Sequence, residues 1–243
     1  MSVRLVVSGA TGRMGGHVGR LARDAPDLDL GGGIAPGPTA DGSPYPVLAP
    51  VADAAELIAA CDVVVDFSAP EHLLELLRTH GDALAGRGLV VGTTGLDEAV
   101  RAALDEAAAH CAVLVAANFS IGVNVLLELA ARAARVLDAD AFDVEIVEAH
   151  HRHKTDSPSG TALALGRAIA DARGARLEEV RRDGRSGVDG ERPHGEIGFH
   201  ALRGGEIIGE HVIRFIGANE RIELAHVAAD RALFAEGALR AAR

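Results

Sequence analysis

The chain has 243 residues, 48% of them hydrophobic and 24% charged, which is typical of a globular protein with one large or two modest cores. Its formal net charge of −11 argues against nucleic acid as a general partner, because phosphate binding needs a basic surface. No apolar run reaches the roughly 18 residues that cross a membrane. The first residues pass directly into a predicted strand and leave no room for a signal peptide, so we expect a cytoplasmic protein.

The first half alternates short β-branched runs with amphipathic helical patterns. The predicted strands are 3–8, 28–34, 62–67, 89–92 and 112–117, and the predicted helices are 14–24, 52–60, 71–80 and 97–110. Strands separated by helices of this length indicate right-handed crossovers and an α/β fold with a doubly wound parallel sheet. Residues 35–50 hold five of the nine prolines and are predicted to form a surface loop.

The pattern changes after Asn118. A long helix over 121–137 precedes a strand over 142–148, and three further strands over 196–202, 206–215 and 220–227 follow with no helix between them. Such a run predicts a second α+β domain on an antiparallel or mixed sheet. We expect one domain over 1–120 plus 229–243, to which a final helix over 231–243 returns, and another over 121–228.

A glycine turn, Gly9, Gly12 and Gly15, follows the first strand and opens the first helix. Glycines let the pyrophosphate of a dinucleotide approach the backbone, and the helix start offers free N–H groups. Any tight strand-to-helix turn favours glycine, so a purely structural turn is the alternative. The position on the first strand and helix of a parallel sheet favours a cofactor.

The residues that usually select between the two nicotinamide cofactors are absent. A carboxylate about 20 positions after the glycine turn would bind the ribose 2′-hydroxyl, but the chain has Ala35 and Pro36 there. The choice between NADH and NADPH therefore stays open, with Arg13 as a candidate phosphate contact.

Two later turns also follow strands, at the edge where ligands collect in such sheets. They are Gly92–Gly95 and Ala116–Phe119. Thr94 and Asn118 could instead only cap the helices that follow, and both roles are compatible.

A basic cluster, residues 150–154 (HHRHK), follows the predicted strand 142–148 in an otherwise acidic chain. It could be a solvated loop or part of a metal site, but a metal would lack further ligands and would be repelled by Arg152 and Lys154. The favoured interpretation is an anion site with an acid–base group, and we expect no bound metal.

The next residues, 156–162 (DSPSGTA), predict a helix start. Asp156 or Ser157 would be the N-cap and Pro158 the first helical residue. The N–H groups of the following turn, Ser159, Gly160 and Thr161, would then point outward and bind a carboxylate or phosphate.

The segment 148–162, EAHHRHKTDSPSGTA, resembles the signature of the dihydrodipicolinate reductase family. The resemblance covers nearly the whole chain and includes SGATGRMG at 8–15, DFSAPE at 66–71, GTTG at 92–95 and AANFSIGVN at 116–124. It implies a Rossmann-type domain joined to a substrate domain whose mixed sheet builds a homotetramer. It also implies NADH- or NADPH-dependent reduction of a cyclic imine dicarboxylate to tetrahydrodipicolinate, on the diaminopimelate route to lysine.

The resemblance also implies roles for individual residues. His150 matches the acid–base histidine and Lys154 the second proton donor, while His151, Gly160 and Thr161 match substrate-binding positions. The residues matching cofactor contacts are Gly9, Ala10, Thr11, Gly12, Arg13, Met14, Gly92, Thr93, Thr94, Ala116, Ala117, Asn118 and Phe119.

Two other functions compete with this one: a dehydrogenase for another dicarboxylate or amino acid, and a nicotinamide sensor without turnover. The intact 150–154 and 159–161 segments argue against both, because a different dehydrogenase would not need this pairing and a sensor would not need a proton donor.

Overall fold

The computed structural model describes residues 2–36 and 43–243. The chain divides into two compact units, unit 1 (Met1–Ser120 with Arg231–Arg243) and unit 2 (Ile121–Asp230). Across the described residues, no helix combines the length and hydropathy needed to span a membrane.

Unit 1 is a parallel sheet covered by helices on both faces. Its strands are β1 (Val3–Ser8), β2 (Leu28–Ile34), β3 (Leu48–Ala49), β4 (Val63–Asp66), β5 (Gly88–Val91) and β6 (Ala112–Val115). Its helical segments are α1 (Arg13–Asp24), a 3-10 turn (Val51–Asp53), α2 (Ala55–Ala59), α3 (Pro70–Leu84) and α4 (Glu98–Ala107), together with the C-terminal α8 (Ala232–Ala242). The strand order β3-β2-β1-β4-β5-β6 is that of a doubly wound sheet, and the predicted Rossmann-type fold is confirmed.

The valines of β4 explain why this sheet is covered on both sides. All four residues of β4 are buried, as expected for a central strand of a parallel sheet. On one face, α8 adds Ala235, Ala238 and Leu239 to the core. A side chain at Gly237 would clash with the carbonyl oxygen of Phe119, so the helix backbone contacts this turn directly.

The proline-rich segment 35–50 is not only a surface loop, and that prediction was wrong. Residues 37–42 of it lie outside the described part of the chain, but Tyr45 is buried and its hydroxyl donates to the carbonyl oxygen of Gly15 at 2.5 Å. The segment also contains β3, which pairs with β2. The loop prediction followed from the prolines alone, whereas Tyr45 and the short apolar run of β3 give the segment its packed structure.

Unit 2 is a mixed five-stranded sheet with its helices on one face. Its helices are α5 (Ile121–Val136), α6 (Gly160–Ala172) and α7 (Leu177–Val180), and its strands are β7 (Asp143–His150), β8 (Arg181–Asp183), β9 (Ile197–Arg203), β10 (Gly209–Ile216) and β11 (Arg221–Ala228). The order is β11-β10-β7-β9-β8, with β7 antiparallel to β10 and parallel to β9. The expected mixed sheet is confirmed. The short strand β8 was not predicted.

Strand β7 continues two residues beyond its predicted end at Glu148. Ala149 pairs with Glu210 and Leu202, and His150 pairs with Arg203. These backbone partners come from strands that are distant in sequence, and they hold His150 within the sheet rather than in the loop that follows.

Candidate active site

The glycine turn joins β1 to α1 in unit 1. Gly9 has φ +78°, and a Cβ there would lie 2.4 Å from the carbonyl oxygen of Phe67, so only glycine fits. Gly15 is constrained in the same way, with a Cβ 2.3 Å from the carbonyl oxygen of Gly9. Gly12 is the N-cap of α1, and among described residues its Cβ would meet only that same oxygen, at 3.1 Å. Gly9 and Gly15 thus close the turn, whereas Gly12 keeps its outer face clear.

Two cavities border this turn. One, of about 240 Å³, lies at the carboxyl ends of β1, β2 and β4 and is lined in part by Gly12, Ile34, Ala35 and Pro36. The other, of about 590 Å³, is lined by Arg13, His17, Arg20 and Arg231 beside the turn. An apolar recess and a basic one on either side of an open glycine turn fit the nucleoside and phosphate groups of a dinucleotide.

A buried carboxylate links the later strand ends. Asp66, at the end of β4, is fully buried and accepts hydrogen bonds from the hydroxyls of Ser68, at 2.8 Å, and of Thr93. Burial raises the pKa of Asp66, while the hydroxyl donors of Ser8, Thr93 and Ser68 oppose that rise. The side chain of Thr93 therefore faces inward, whereas the neighbouring Thr94 is exposed.

The capping alternative fails for Thr94, in the turn after β5. Asp97, not Thr94, caps α4, because its Oδ1 accepts from the backbone N of Val100 at 2.9 Å. Asn118 Oδ1 accepts from the backbone N of Ser120 at 2.8 Å, just before α5 begins. Phe119 is buried in the core of unit 1 against Phe67. These contacts fix both turns at the carboxyl edge of the sheet.

In unit 2, three adjacent strands bring four side chains together. Glu148 and His150 lie on the same face of β7 because side chains two residues apart share a face. The Nδ1 of His150 lies 2.7 Å from Glu148 Oε2. Arg203, on β9, donates from both Nη1 and Nη2 to the two carboxylate oxygens, each at 2.7 Å. His211, on β10, packs edge-to-face on the ring of His150 with centroids 5.2 Å apart.

The pKa values of three of these groups are shifted, that of Arg203 upward because it donates to Glu148. Burial would raise the pKa of the Glu148 carboxyl, but hydrogen bonds from Arg203, His150 and the backbone of Ser159 outweigh it, so the net shift is downward. Burial, together with the nearby His150, lowers the pKa of His211 to about 4. Glu148 is therefore ionised and His211 is neutral at neutral pH.

The helix start differs from its prediction by two residues. Ser159 is the N-cap of α6, and its hydroxyl accepts from the backbone N of Ala162 at 3.2 Å, so neither Asp156 nor Ser157 caps the helix. The backbone N of Ser159 donates to Glu148 Oε1 at 3.0 Å rather than pointing outward. Ser159 rather than Asp156 or Ser157 caps the helix because its buried position places its hydroxyl over the first turn. A Cβ on Gly160 would meet no described atom within 4 Å, so the start of α6 is open there.

The loop between β7 and α6 carries the rest of the basic cluster. Lys154 is half-buried, and its Nζ lies 2.8 Å from Asp156 Oδ1. His151 is partly buried, whereas Arg152 and His153 are exposed. Arg203 also donates to the carbonyl oxygen of Asp156, at 2.7 Å, and so ties this loop to β9. The described residues contain no group of three or more His, Cys, Asp or Glu side chains arranged for a metal.

Three residues of this site, Glu148, Arg203 and His211, were not predicted from the sequence. Glu148 carried a usable signal, since a charged residue two positions before a histidine on a buried strand must share its face. Arg203 and His211 are more than 50 residues away from Glu148 in sequence and gave no local signal.

Comparisons with known proteins agree with this architecture. Residues 3–119 match the family model of the N-terminus of dihydrodipicolinate reductase, and residues 122–243 match that of its C-terminus. The 4-hydroxy-tetrahydrodipicolinate reductase of Rubrobacter xylanophilus is 47% identical, with 99% of this chain and 92% of the relative covered. The enzyme of the same name from Parvibaculum lavamentivorans is 44% identical, again over 99% and 92%. A dipicolinate-bound dihydrodipicolinate reductase from a Paenisporosarcina species superposes with a TM-score of 0.73 at 25% identity, over 100% of this chain and 94% of the other.

A doubly wound sheet with a glycine turn, joined in one chain to a mixed sheet that carries a buried histidine and an open helix start, defines a nicotinamide-dependent oxidoreductase. Its particular kind follows from the family models, which together match nearly every residue. The chain belongs to the dihydrodipicolinate reductase family. The resemblance predicted from the 148–162 signature is confirmed.

Proposed function

We propose that the protein catalyses the NADH- or NADPH-dependent reduction of 4-hydroxy-tetrahydrodipicolinate to tetrahydrodipicolinate, on the diaminopimelate route to lysine. The observation that carries the proposal is the 148–162 segment of unit 2. It brings a buried histidine, a lysine and an open helix start into one short stretch of a chain that belongs to this family.

The substrate is a dicarboxylate, and unit 2 has the groups to bind one. The N-terminal turn of α6, with Gly160 and Thr161, presents backbone N–H groups and the positive end of a helix dipole. His151 and Lys154 add positive or hydrogen-bonding character from the preceding loop. Ser159 supports this turn as its N-cap rather than through its backbone N–H, which already bonds to Glu148.

The same segment supplies protons. Loss of water from the 4-hydroxy compound gives a conjugated imine; hydride addition to that imine leaves an electron-rich enamine that must be protonated, which calls for a positioned acid. We assign this role to His150, because histidine exchanges protons near neutral pH and this one is held by a carboxylate. Lys154, from the loop that follows, is the second donor.

Unit 1 would hold the cofactor, which supplies the hydride. The glycine turn Gly9–Met14 would cradle the pyrophosphate, and the turns Gly92–Thr94 and Ala116–Phe119 would contact the nicotinamide half, with Thr93 contributing backbone groups because its side chain faces Asp66. Ala35 and Pro36 neither repel nor bind a 2′-phosphate. The basic cavity beside Arg13 offers cations for one.

The proposal includes a cytoplasmic homotetramer. The face of the unit 2 sheet opposite its helices exposes apolar side chains, among them Leu202 at 57% and Val227 at 63%, which suits a subunit interface. Light scattering coupled to size exclusion would report four chains, and a monomeric mass would contradict this part.

The test of the activity is an assay of NADH and NADPH oxidation with freshly generated substrate. We expect oxidation that depends on substrate, with parallel cofactor titrations giving the preference. Folded protein that oxidises neither cofactor would refute the reductase. Cofactor binding without turnover would indicate the sensor instead.

A further inference from the structure

Glu148 uses every acceptor position that a carboxylate has. Oε2 lies 2.7 Å from both His150 Nδ1 and Arg203 Nη1, and Oε1 lies 2.7 Å from Arg203 Nη2 and 3.0 Å from the backbone N of Ser159. Four donors match the roughly four lone-pair sites of an ionised carboxylate. The side chain is only 1% exposed, so water does not compete for these positions.

The contact fixes which nitrogen of His150 carries the permanent proton. An ionised carboxylate only accepts hydrogen bonds, so Nδ1 of His150 must be the donor to Glu148. The proton that His150 exchanges is then on Nε2. This nitrogen points towards Gly209, where a Cβ would lie 3.1 Å away, so the absence of a side chain keeps its surroundings open.

The second oxygen connects the same carboxylate to the helix start. Ser159 is the N-cap of α6, and its backbone N donates to Glu148 across 11 residues of sequence. Its hydroxyl also lies 3.2 Å from Nε2 of His211, which packs on His150. The imidazole and the anion-binding turn therefore share one buried anchor.

We propose that Glu148 is a positioning residue that orients His150 through one oxygen and the start of α6 through the other, with Arg203 holding the carboxylate in its plane. The inference rests on the proposed function, because it explains how proton transfer and dicarboxylate binding are aligned in one segment. With four protein donors on its two oxygens, Glu148 has no acceptor position left for a substrate or a cofactor.

Glu145 provides a matched control on the same strand. It too pairs with an arginine and a histidine, with Arg192 Nε at 3.1 Å and His200 Nε2 at 2.7 Å. It lies on the opposite face of β7 from Glu148. Glu145→Gln and Glu148→Gln thus each remove a β7 carboxylate that is paired with an arginine and a histidine. Only Glu148→Gln removes a contact to His150 and to the start of α6.

The experiment measures kcat and KM for Glu148→Gln, Glu145→Gln, His150→Gln and the double variant of 148 and 150. We expect Glu148→Gln to lower kcat by at least about 10-fold and to raise the substrate KM, since an orienting carboxylate has large effects on catalysis. In the double variant kcat should fall no further than in His150→Gln, while the rise in KM persists. Glu145→Gln should leave both constants within about 2-fold.

Dicarboxylate binding and tautomer are read independently of turnover. Dipicolinate titrated by calorimetry should bind more weakly to Glu148→Gln than to Glu145→Gln. In the ¹⁵N NMR spectrum of wild-type protein with labelled histidine, the ring signals of His150 are those that disappear in His150→Gln. At neutral charge they should report the Nδ1–H tautomer. Glu148→Gln should mix the two tautomers.

Several outcomes would overturn the inference. They are a neutral Nε2–H tautomer in the wild type, a folded Glu148→Gln with the kinetics of Glu145→Gln, or kcat losses that multiply in the double variant. If Glu148→Gln does not fold, the wild-type tautomer still decides. A wild type without reductase activity but with the Nδ1–H tautomer and dipicolinate binding would refute the proposed reaction and leave the positioning of His150 and α6 intact.

Discussion

The ammonium of Lys154 lies 2.8 Å from Oδ1 of Asp156, within the loop that separates the histidine from the helix start. The hydrogen bond from Lys154 lowers the pKa of the Asp156 carboxyl, so this carboxylate is ionised throughout the neutral range. Asp156 is the more exposed partner, at 57% against 22% for Lys154. The Asp156 carboxylate thus contacts the Lys154 ammonium from the solvent side, and the ammonium itself stays within the loop.

The first prediction concerns this pair. Lys154→Ala should lower kcat by roughly 10²-fold or more, because it removes a proton donor. Asp156→Asn should change the free energy of unfolding by less than about 1 kcal/mol, since exposed ion pairs contribute little. Steady-state kinetics and urea denaturation of both variants make the comparison. Equal rates in Lys154→Ala and wild type would remove Lys154 from the mechanism.

His150→Gln should reduce kcat by about 10²- to 10⁴-fold, the usual span for a general acid. His153→Gln is the control, because His153 is in the same cluster but its side chain is 71% exposed and its nearest carboxylate oxygen, on Glu206, is 3.9 Å away. Kinetics of the two variants should differ by the full effect. A comparable loss in both would mean that the cluster acts only through its charge.

Gly160→Ala separates ligand binding from folding. The new Cβ would meet no described atom within 4 Å, and alanine favours helix over glycine by up to about 1 kcal/mol. We expect unchanged or slightly raised thermal stability together with a higher substrate KM, because the methyl group occupies the space where a carboxylate approaches. An unchanged KM would place the carboxylate elsewhere.

Two glycines of the cofactor turn should respond differently to alanine. Gly15→Ala places a Cβ 2.3 Å from a backbone oxygen and should destabilise unit 1 severely. Gly12→Ala meets the same oxygen at 3.1 Å and should fold, but it should bind NADH and NADPH more weakly. Thermal melts and cofactor titrations distinguish the two effects. Normal affinity in Gly12→Ala would argue against pyrophosphate binding at this turn.

Buried His211 makes stability depend on pH. Its pKa in the folded protein is about 4, against an ordinary value of 6.5, so the unfolded chain binds more protons between these values. The contribution of the neutral His211 to the free energy of unfolding is fully present above pH 6.5 and is lost as the pH falls towards 4. From pH 7 to pH 5 the wild type should lose about 2 kcal/mol more unfolding free energy than His211→Gln.

Urea denaturation at the two pH values tests this prediction. The control His153→Gln should lose as much unfolding free energy between pH 7 and pH 5 as the wild type. If His211→Gln shows the same pH dependence as the wild type, the pKa of His211 is the same in the folded and unfolded chain, which would contradict this prediction.

Much of the fold was predictable because its signals are local. The bounds of β1 and β2 agree with the predicted strands. Strand β1 is a β-branched run that ends before Gly9, and β2 is a short run of apolar residues and glycines that ends before Pro36. The start of α6 was misplaced because Pro158 was taken as its first residue, which left Asp156 or Ser157 as the N-cap. The packing of unit 2 instead makes Ser159 the N-cap, and the local pattern does not contain that information.

The candidate site was predictable only along the chain. His150, Lys154 and Gly160 belong to one segment, so their association needed no tertiary information. Arg203 and His211 reach the site through the pairing of β9 and β10 with β7, and strand pairing between distant residues leaves no periodic trace. Asp66 escaped for a related reason, since its hydroxyl partner Thr93 comes from the next strand of the sheet.

Unit 1 is interrupted in sequence by the whole of unit 2, and α8 completes its core with Ala235, Ala238 and Leu239. During synthesis the ribosome would therefore release residues 1–120 as an unfinished unit, with its apolar surface uncovered until residues 231–243 emerge. Unit 2 is continuous in sequence, so it can fold as soon as its own strands have left the ribosome. A chain released from the ribosome at residue 230 should then be cut by protease within 1–120 while 121–230 resists.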